Sequence, residues 1–141
     1  MAVAVCFGVV GCTNTPRVPG EETEMYITVN GNKLEVTLAD NSSVDALVNI
    51  LKQGDIVYTA NDYGDFEKVG NIGHTLPRND KHINTYAGDV VLYEGNNIVL
   101  FYGSNAWAYT RLGKINGYSA GELRELLGAG SGEAQVTISL S

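Results

Sequence analysis

Cysteine is almost missing from this chain: Cys6 and Cys12 are the only two, both within the first dozen of 141 residues. Beyond Cys12 there is no material for a disulfide framework, a thiol nucleophile or a cysteine-based zinc site. Basic side chains are also scarce, nine against sixteen acidic ones, and they are scattered singly for a formal charge of −7. Phosphate backbones and anionic membrane surfaces reward clustered Lys and Arg, so no nucleic-acid partner is expected, and the acidity reads as solubility. Long hydrophobic runs are absent as well. The apolar stretch over residues 2–10 falls short of the roughly 20 residues that span a bilayer. The one Gly-x-Ser-x-Gly run, Gly117-Tyr118-Ser119-Ala120-Gly121, puts its serine where a helix cap is expected, and the glycines near 71–73 and 128–132 do not sit between a strand and a helix as a phosphate loop requires. His74 and His82 share a segment with Asp80 and Asp89, yet loop spacing alone converges no ligands. Neither a metal nor a cofactor is expected.

What remains is an ordinary globular composition, 44% hydrophobic, with room for one domain and a short tail. Residues 25–29 read as a strand, Asn30-Gly31 as a hairpin turn, and 33–38 as a half-buried strand with Leu34, Val36 and Leu38 on one face. The polar run 40–43 supplies helix N-cap oxygens, after which Val44, Leu47, Val48 and Leu51 recur at helical spacing until Gly54. Strands follow over 55–60 and 65–69, with a turn at Asn61-Asp62 or Tyr63-Gly64. Residues 70–88 read as a long irregular loop, a kind of segment that is often functional. The apolar runs 90–93 and 98–102 flank Glu94-Gly95-Asn96-Asn97 and should pair antiparallel. A strand over 107–112 comes next. Ser119 then caps a second helix carrying Leu123, Leu126 and Leu127, and 134–140 forms a last strand. The count is eight strands and two helices, and ring closure would remove the two edges that a flat sheet leaves exposed.

Several pieces of this pattern resemble the bacterial cyclophilin-like domain family, the short cyclophilin-fold proteins. They are Asp62-Tyr63-Gly64-Asp65-Phe66-Glu67-Lys68, Leu76-Pro77, Gly88-Asp89-Val90 with Leu92-Tyr93, Gly95-Asn96-Asn97-Ile98, Phe101-Tyr102 and Leu112-Gly113-Lys114-Ile115. The resemblance implies a mainly β fold: a closed eight-stranded antiparallel barrel over 25–141 with two capping α-helices. The N-terminus resembles a second, shorter pattern. The apolar run ends in Val9-Val10-Gly11-Cys12 and turns polar at Thr13-Asn14-Thr15-Pro16, like the lipobox of bacterial lipoproteins, although no Lys or Arg precedes it. That likeness implies a signal peptide over 1–11, lipidation of Cys12 and a flexible tether over 12–24. It places the domain in the bacterial cell envelope, outside the cytoplasm, touching membrane only through its lipid.

Cyclophilin-type isomerases use an arginine on the barrel face and an apolar pocket for the proline ring. The donors of that arginine stabilise the twisted amide. Here only Arg17, Arg78, Arg111 and Arg124 are present, and the strands over 55–60 and 65–69 hold none. The aromatics suggest binding instead, since Tyr and Trp give rigid, amphipathic contact area. Tyr58, Tyr63, Tyr93, Phe101, Tyr102, Trp107 and Tyr109, with Glu67, are the candidate ligand-binding residues, beside the 70–88 loop. Strand propensity alone also favours such residues, and Glu67 and Lys68, on opposite sides of their strand, read foremost as a solvated edge, though one of them could point into the barrel mouth. The expected protein is a monomeric domain that binds a peptide or small molecule without turnover. A weak prolyl isomerase acting on exported proteins is the enzymatic alternative, and a structural accessory of an envelope complex is a third.

Overall fold

The structure, a computed structural model, describes residues 23–141. The expected signal peptide, Cys12 and nearly all of the tether lie outside the described residues. β1 (Met25–Val29) and β2 (Asn32–Leu38) form a hairpin through Asn30 and Gly31, whose φ values of 52° and 79° are the left-handed pair that such a two-residue turn demands. α1 (Ser42–Gln53) starts where the Asn41 side chain accepts the Val44 N–H at 2.9 Å and ends at Gly54. Its apolar face, Val44, Leu47, Val48 and Leu51, is buried. β3 (Ile56–Tyr63), β4 (Glu67–Asn71), β5 (Lys81–Thr85), β6 (Asp89–Tyr93), β7 (Asn97–Phe101) and β8 (Asn105–Ile115) follow. Ser119 and Glu122 close a reciprocal capping box on α2 (Ala120–Leu126), and β9 (Ala134–Ser139) completes the sheet.

All strand pairs are antiparallel, in the order β2-β1-β9-β3-β4-β7-β6-β8-β5. A further pairing of β2 with β8, running from Val36↔Ile115 to Leu38↔Gly113, brings the sheet back on itself as a ring. Gly113 permits that seam: a Cβ there would stand 2.5 Å from the Thr37 carbonyl oxygen. Among the described residues the strand count is nine rather than eight. The additional strand, β5, lies within the 70–88 segment read as a loop and pairs with the first half of β8, outside the ring. Its sequence, Lys-His-Ile-Asn-Thr, is mostly solvent-facing, so no apolar alternation announces it, and its backbone pairing with β8 holds it in place. The turn after β3 falls at Gly64, and Asn61 and Asp62 belong to the strand.

Two apolar clusters lie on opposite faces of the sheet. The larger gathers Ile27, Leu34, Val36, Tyr58, Leu92, Ile98, Leu100, Leu112 and Val136 from the ring strands with Leu47, Val48 and Leu123 from the helices and Leu127 from the C-terminal cap of α2. The smaller contains Val91, Val99, Phe101 and Tyr109, with Phe66, Val69, Ile83 and Tyr93 packed against it. β6 and β7 contribute to both, which is why each reads as an unbroken apolar run.

Candidate functional site

The smaller cluster floors a pocket of about 580 Å³, within the range of small-molecule sites, on the face of the sheet away from the main core. Alternation decides which residues reach it. Glu67 and Val69 project from β4, and Asn105, Trp107 and Tyr109 from β8. Tyr93 comes from β6, Tyr63 from the end of β3, and Gly64 and Phe66 from the β3–β4 turn. Beneath them Phe101 is fully buried, stacked on Phe66 with centroids 6.3 Å apart and edge-on to Tyr109 at 5.6 Å. Tyr93 meets Tyr109, and Tyr63 meets Phe66, in further edge-to-face contacts at 6.0 Å. Such pairs fix the rings relative to one another. Trp107 and Tyr63 stand at the rim, 55% and 65% exposed. β5 supports this wall: Ile83 sits opposite Trp107, and the Thr85 hydroxyl donates to the Asn105 carbonyl.

One acidic group faces this aromatic surface. The Glu67 side chain lines the pocket, yet the residue is only 5% exposed, and its Oε1 has no hydrogen-bond partner. Burial pushes its carboxyl up to about 7, even though a hydrogen bond from the Tyr109 hydroxyl pulls the other way. Asn105 Nδ2 donates to the Tyr109 hydroxyl at 2.8 Å, so the phenolic proton is free to point at Glu67.

Of the residues singled out in the sequence, Tyr63, Glu67, Tyr93, Trp107 and Tyr109 share the pocket wall, and Phe101 lies in its floor. Tyr58 and Tyr102 do not reach it: both are buried in the main core. Adjacent strand residues point to opposite faces, so Phe101 and Tyr102 cannot serve one site. No residue of the 70–88 segment lines the pocket. Val69, Gly64 and Asn105 were not foreseen, although alternation from Glu67 and Trp107 points to Val69 and Asn105.

Glu67 and Lys68 are no solvated edge. Lys68 is wholly buried on the inner face, donating to the Gly132 carbonyl and pairing with Asp62 at 3.1 Å. Asp62 also accepts the Tyr102 hydroxyl and the Gly132 N–H, each at 2.8 Å. Burial raises its pKa, but the Gly132 and Gly130 N–H groups, Tyr102 and Lys68 outweigh that and hold it down to about 2. Among the described residues, no arginine lines the pocket. Arg78 pairs with Asp80 at 2.6 Å, and Arg111 lies 3.7 Å from Asp89. Arg124 pairs with Asp65 at 3.1 Å and covers the Tyr102 ring. No cluster of metal-ligating side chains occurs among the described residues.

These features define a cyclophilin-like protein, and the comparisons agree: the sequence profile of the cyclophilin-like family matches residues 27–139, and the chain belongs to that family. Among solved structures it is similar to the solution structure of a hypothetical protein from Archaeoglobus fulgidus. The TM-score is 0.62 at 22% identity, covering 85% of this chain and 95% of that one. That likeness shows the fold alone. No curated protein matches the chain.

Proposed function

We propose that this chain is a binding domain whose ligand, a peptide segment or small molecule, occupies the aromatic pocket on the outer face of β4, β6 and β8. The observation that carries the reading is the convergence of Tyr63, Phe66, Tyr93, Trp107 and Tyr109 on one open cavity, locked beneath by Phe101. A preformed aromatic surface gains contact area at little ordering cost. Chemical-shift mapping against a mixed collection of apolar fragments and short peptides tests it. Shifts should cluster on the aromatic signals of these residues. Binders that perturb only other regions, or no binders at all, would refute the assignment.

The sequence before residue 23 supports display outside the cytoplasm on a lipid at Cys12. Globomycin treatment should then leave a slower-migrating precursor, and unchanged mobility would count against the anchor. The enzymatic alternative, prolyl isomerisation, draws on membership of the cyclophilin-like family. It lacks a guanidinium among the pocket-lining residues to stabilise a twisted amide. A proline-peptide isomerisation assay at background rate, unchanged in Arg78→Ala and Arg111→Ala variants, would be the outcome consistent with pure binding.

A further inference from the structure

We propose that the pocket selects ligands bearing a protonated amine with at least one N–H, the ammonium lying against the aromatic rings and donating to Glu67. The inference rests on the reading of the pocket as a ligand site and names the chemistry of what enters. Glu67 Oε1 is a buried acceptor without a donor, on a side chain that lines the cavity. Buried polar atoms without partners are rare, and one on a side chain that lines a binding cavity calls for a partner from the ligand. A phenol carries one proton, so Tyr109, whose hydroxyl hydrogen-bonds the Glu67 carboxyl group, cannot also satisfy Oε1.

The surrounding charges leave this carboxylate to the ligand. Neither Lys nor Arg is among the lining residues. Lys68, next in sequence, is turned to the inner face and engaged by Asp62 and Gly132. Arg124, Arg78 and Arg111 are committed to Asp65, Asp80 and Asp89. The groups facing Glu67 are phenols: Tyr63 from β3, Tyr93 from β6 and Tyr109 from β8. Five aromatic side chains line the cavity with this carboxylate, and aromatic rings attract a cation over their negative faces where they repel an anion. A quaternary ammonium would satisfy the rings but leave Oε1 without its hydrogen bond, so a cation carrying an N–H fits better. Because burial raises the Glu67 carboxyl to about 7, the anionic partner forms only as pH rises through neutrality. The amine stays protonated across that range. Such an amine is supplied either by a free alkylamine or by a lysine side chain of a peptide.

Trp107 is the only tryptophan of the chain and stands at the pocket rim, so its fluorescence and its indole N–H resonance report occupancy. The full chain is titrated at pH 8 with 2-phenylethylammonium, its neutral isostere 2-phenylethanol, the anion 3-phenylpropionate, and N-acetyl-lysine methylamide. The ammonium should bind at least about tenfold more tightly than the alcohol, and the propionate weakest. Glu67→Gln should reduce ammonium affinity by about tenfold or more while leaving the alcohol within about twofold. Affinity for the ammonium should fall by about tenfold between pH 8 and pH 6 in the parent protein and stay level in the variant. Saturation by the lysine derivative but not by the phenyl amine would identify peptide as the source, and the reverse a free amine. Equal affinity for alcohol and ammonium, or an unchanged Glu67→Gln variant, would overturn the inference while leaving the pocket as a ligand site. A silent Trp107 with all four probes would also overturn it, and the fragment mapping would then judge the pocket separately.

Discussion

Glu67→Gln offers the sharpest thermodynamic test of the site, because it should stabilise the protein by removing a charge that the fold accommodates badly. The Glu67 carboxyl ordinarily titrates near 4.5 and is pushed up to about 7 by burial. The folded state therefore holds its proton more tightly than the unfolded chain does. This group's contribution is at its most favourable below about pH 4.5, where both states are protonated, and declines as pH rises through about 7. Each tenfold difference in proton affinity corresponds to about 1.4 kcal/mol, which puts the upper bound near 3 kcal/mol at pH 8. The cavity is open to water, whose screening reduces this, so a cost of about 1–3 kcal/mol is expected. Glutamine keeps the shape and cannot ionise. Urea unfolding at pH 4, 6 and 8 should give nearly coincident stabilities for parent and variant at pH 4. At pH 8 the variant should be the more stable by that amount. Equal stability at pH 8, or a parent that gains stability relative to the variant as pH rises, would refute the placement of a carboxylate in a desolvated, donor-poor position.

Three other perturbations follow from the same geometry. Asp62→Asn leaves the wholly buried Lys68 ammonium without its carboxylate and should cost about 3–5 kcal/mol in urea unfolding, a loss below about 1 kcal/mol being incompatible with the arrangement. Asp62 itself, held down to about 2 from 3.8, has the sign opposite to Glu67: its stabilisation, about 2 kcal/mol, is complete above about pH 4 and lost as pH falls through about 2, which an acid titration of the parent and the variant would separate. Gly113→Ala sets a Cβ 2.5 Å from the Thr37 carbonyl oxygen at the seam of the ring and should destabilise by about 1–3 kcal/mol, with hydrogen exchange accelerated in β2 and the second half of β8. Asn41→Ala removes both the cap on the Val44 N–H and a bond to the Arg111 carbonyl at 2.8 Å, and a loss of about 1–2 kcal/mol in thermal unfolding is expected.

The parts of this molecule legible in its sequence are those governed by local chemistry. Asn30-Gly31 announces a turn because both residues tolerate positive φ, and Asn41 and Ser119 announce helix starts because their oxygens meet free N–H groups. The double apolar run around Glu94 to Asn97 is a hairpin, with Glu94 at φ 55° and Gly95 at 80°. Partners distant in sequence are less legible. β5 is polar and solvent-facing, and its existence depends on β8 extending further than its own apolar pattern indicates. Gly113 reads as a strand terminator, yet it is where β8 passes closest to β2. The aromatic site was half legible for a related reason. Alternation separates Phe101 from Tyr102 with certainty, but a strand apolar on both faces does not reveal which face is the inside of the ring.

That ambiguity has a structural origin which also locates the pocket. The side chains on the inner face of the ring, with the apolar faces of both helices, form one continuous buried cluster. The binding surface must therefore be built on the outside, on strands already committed to the core by their inner faces. β6 and β7 meet both demands by being apolar at nearly every position, while β4 carries Lys68 inward and Glu67 outward on adjacent residues. The inward charge is neutralised by Asp62 and adds to the fold; the outward one has no cationic partner among the lining residues. If Glu67 were merely a structural residue, glutamine would serve the fold better at neutral pH. A carboxylate that weakens the free protein but not its core is what a site held ready for a cation would carry. The stability gain and the loss of ammonium affinity in Glu67→Gln should therefore appear together, and either one without the other would break the link between them.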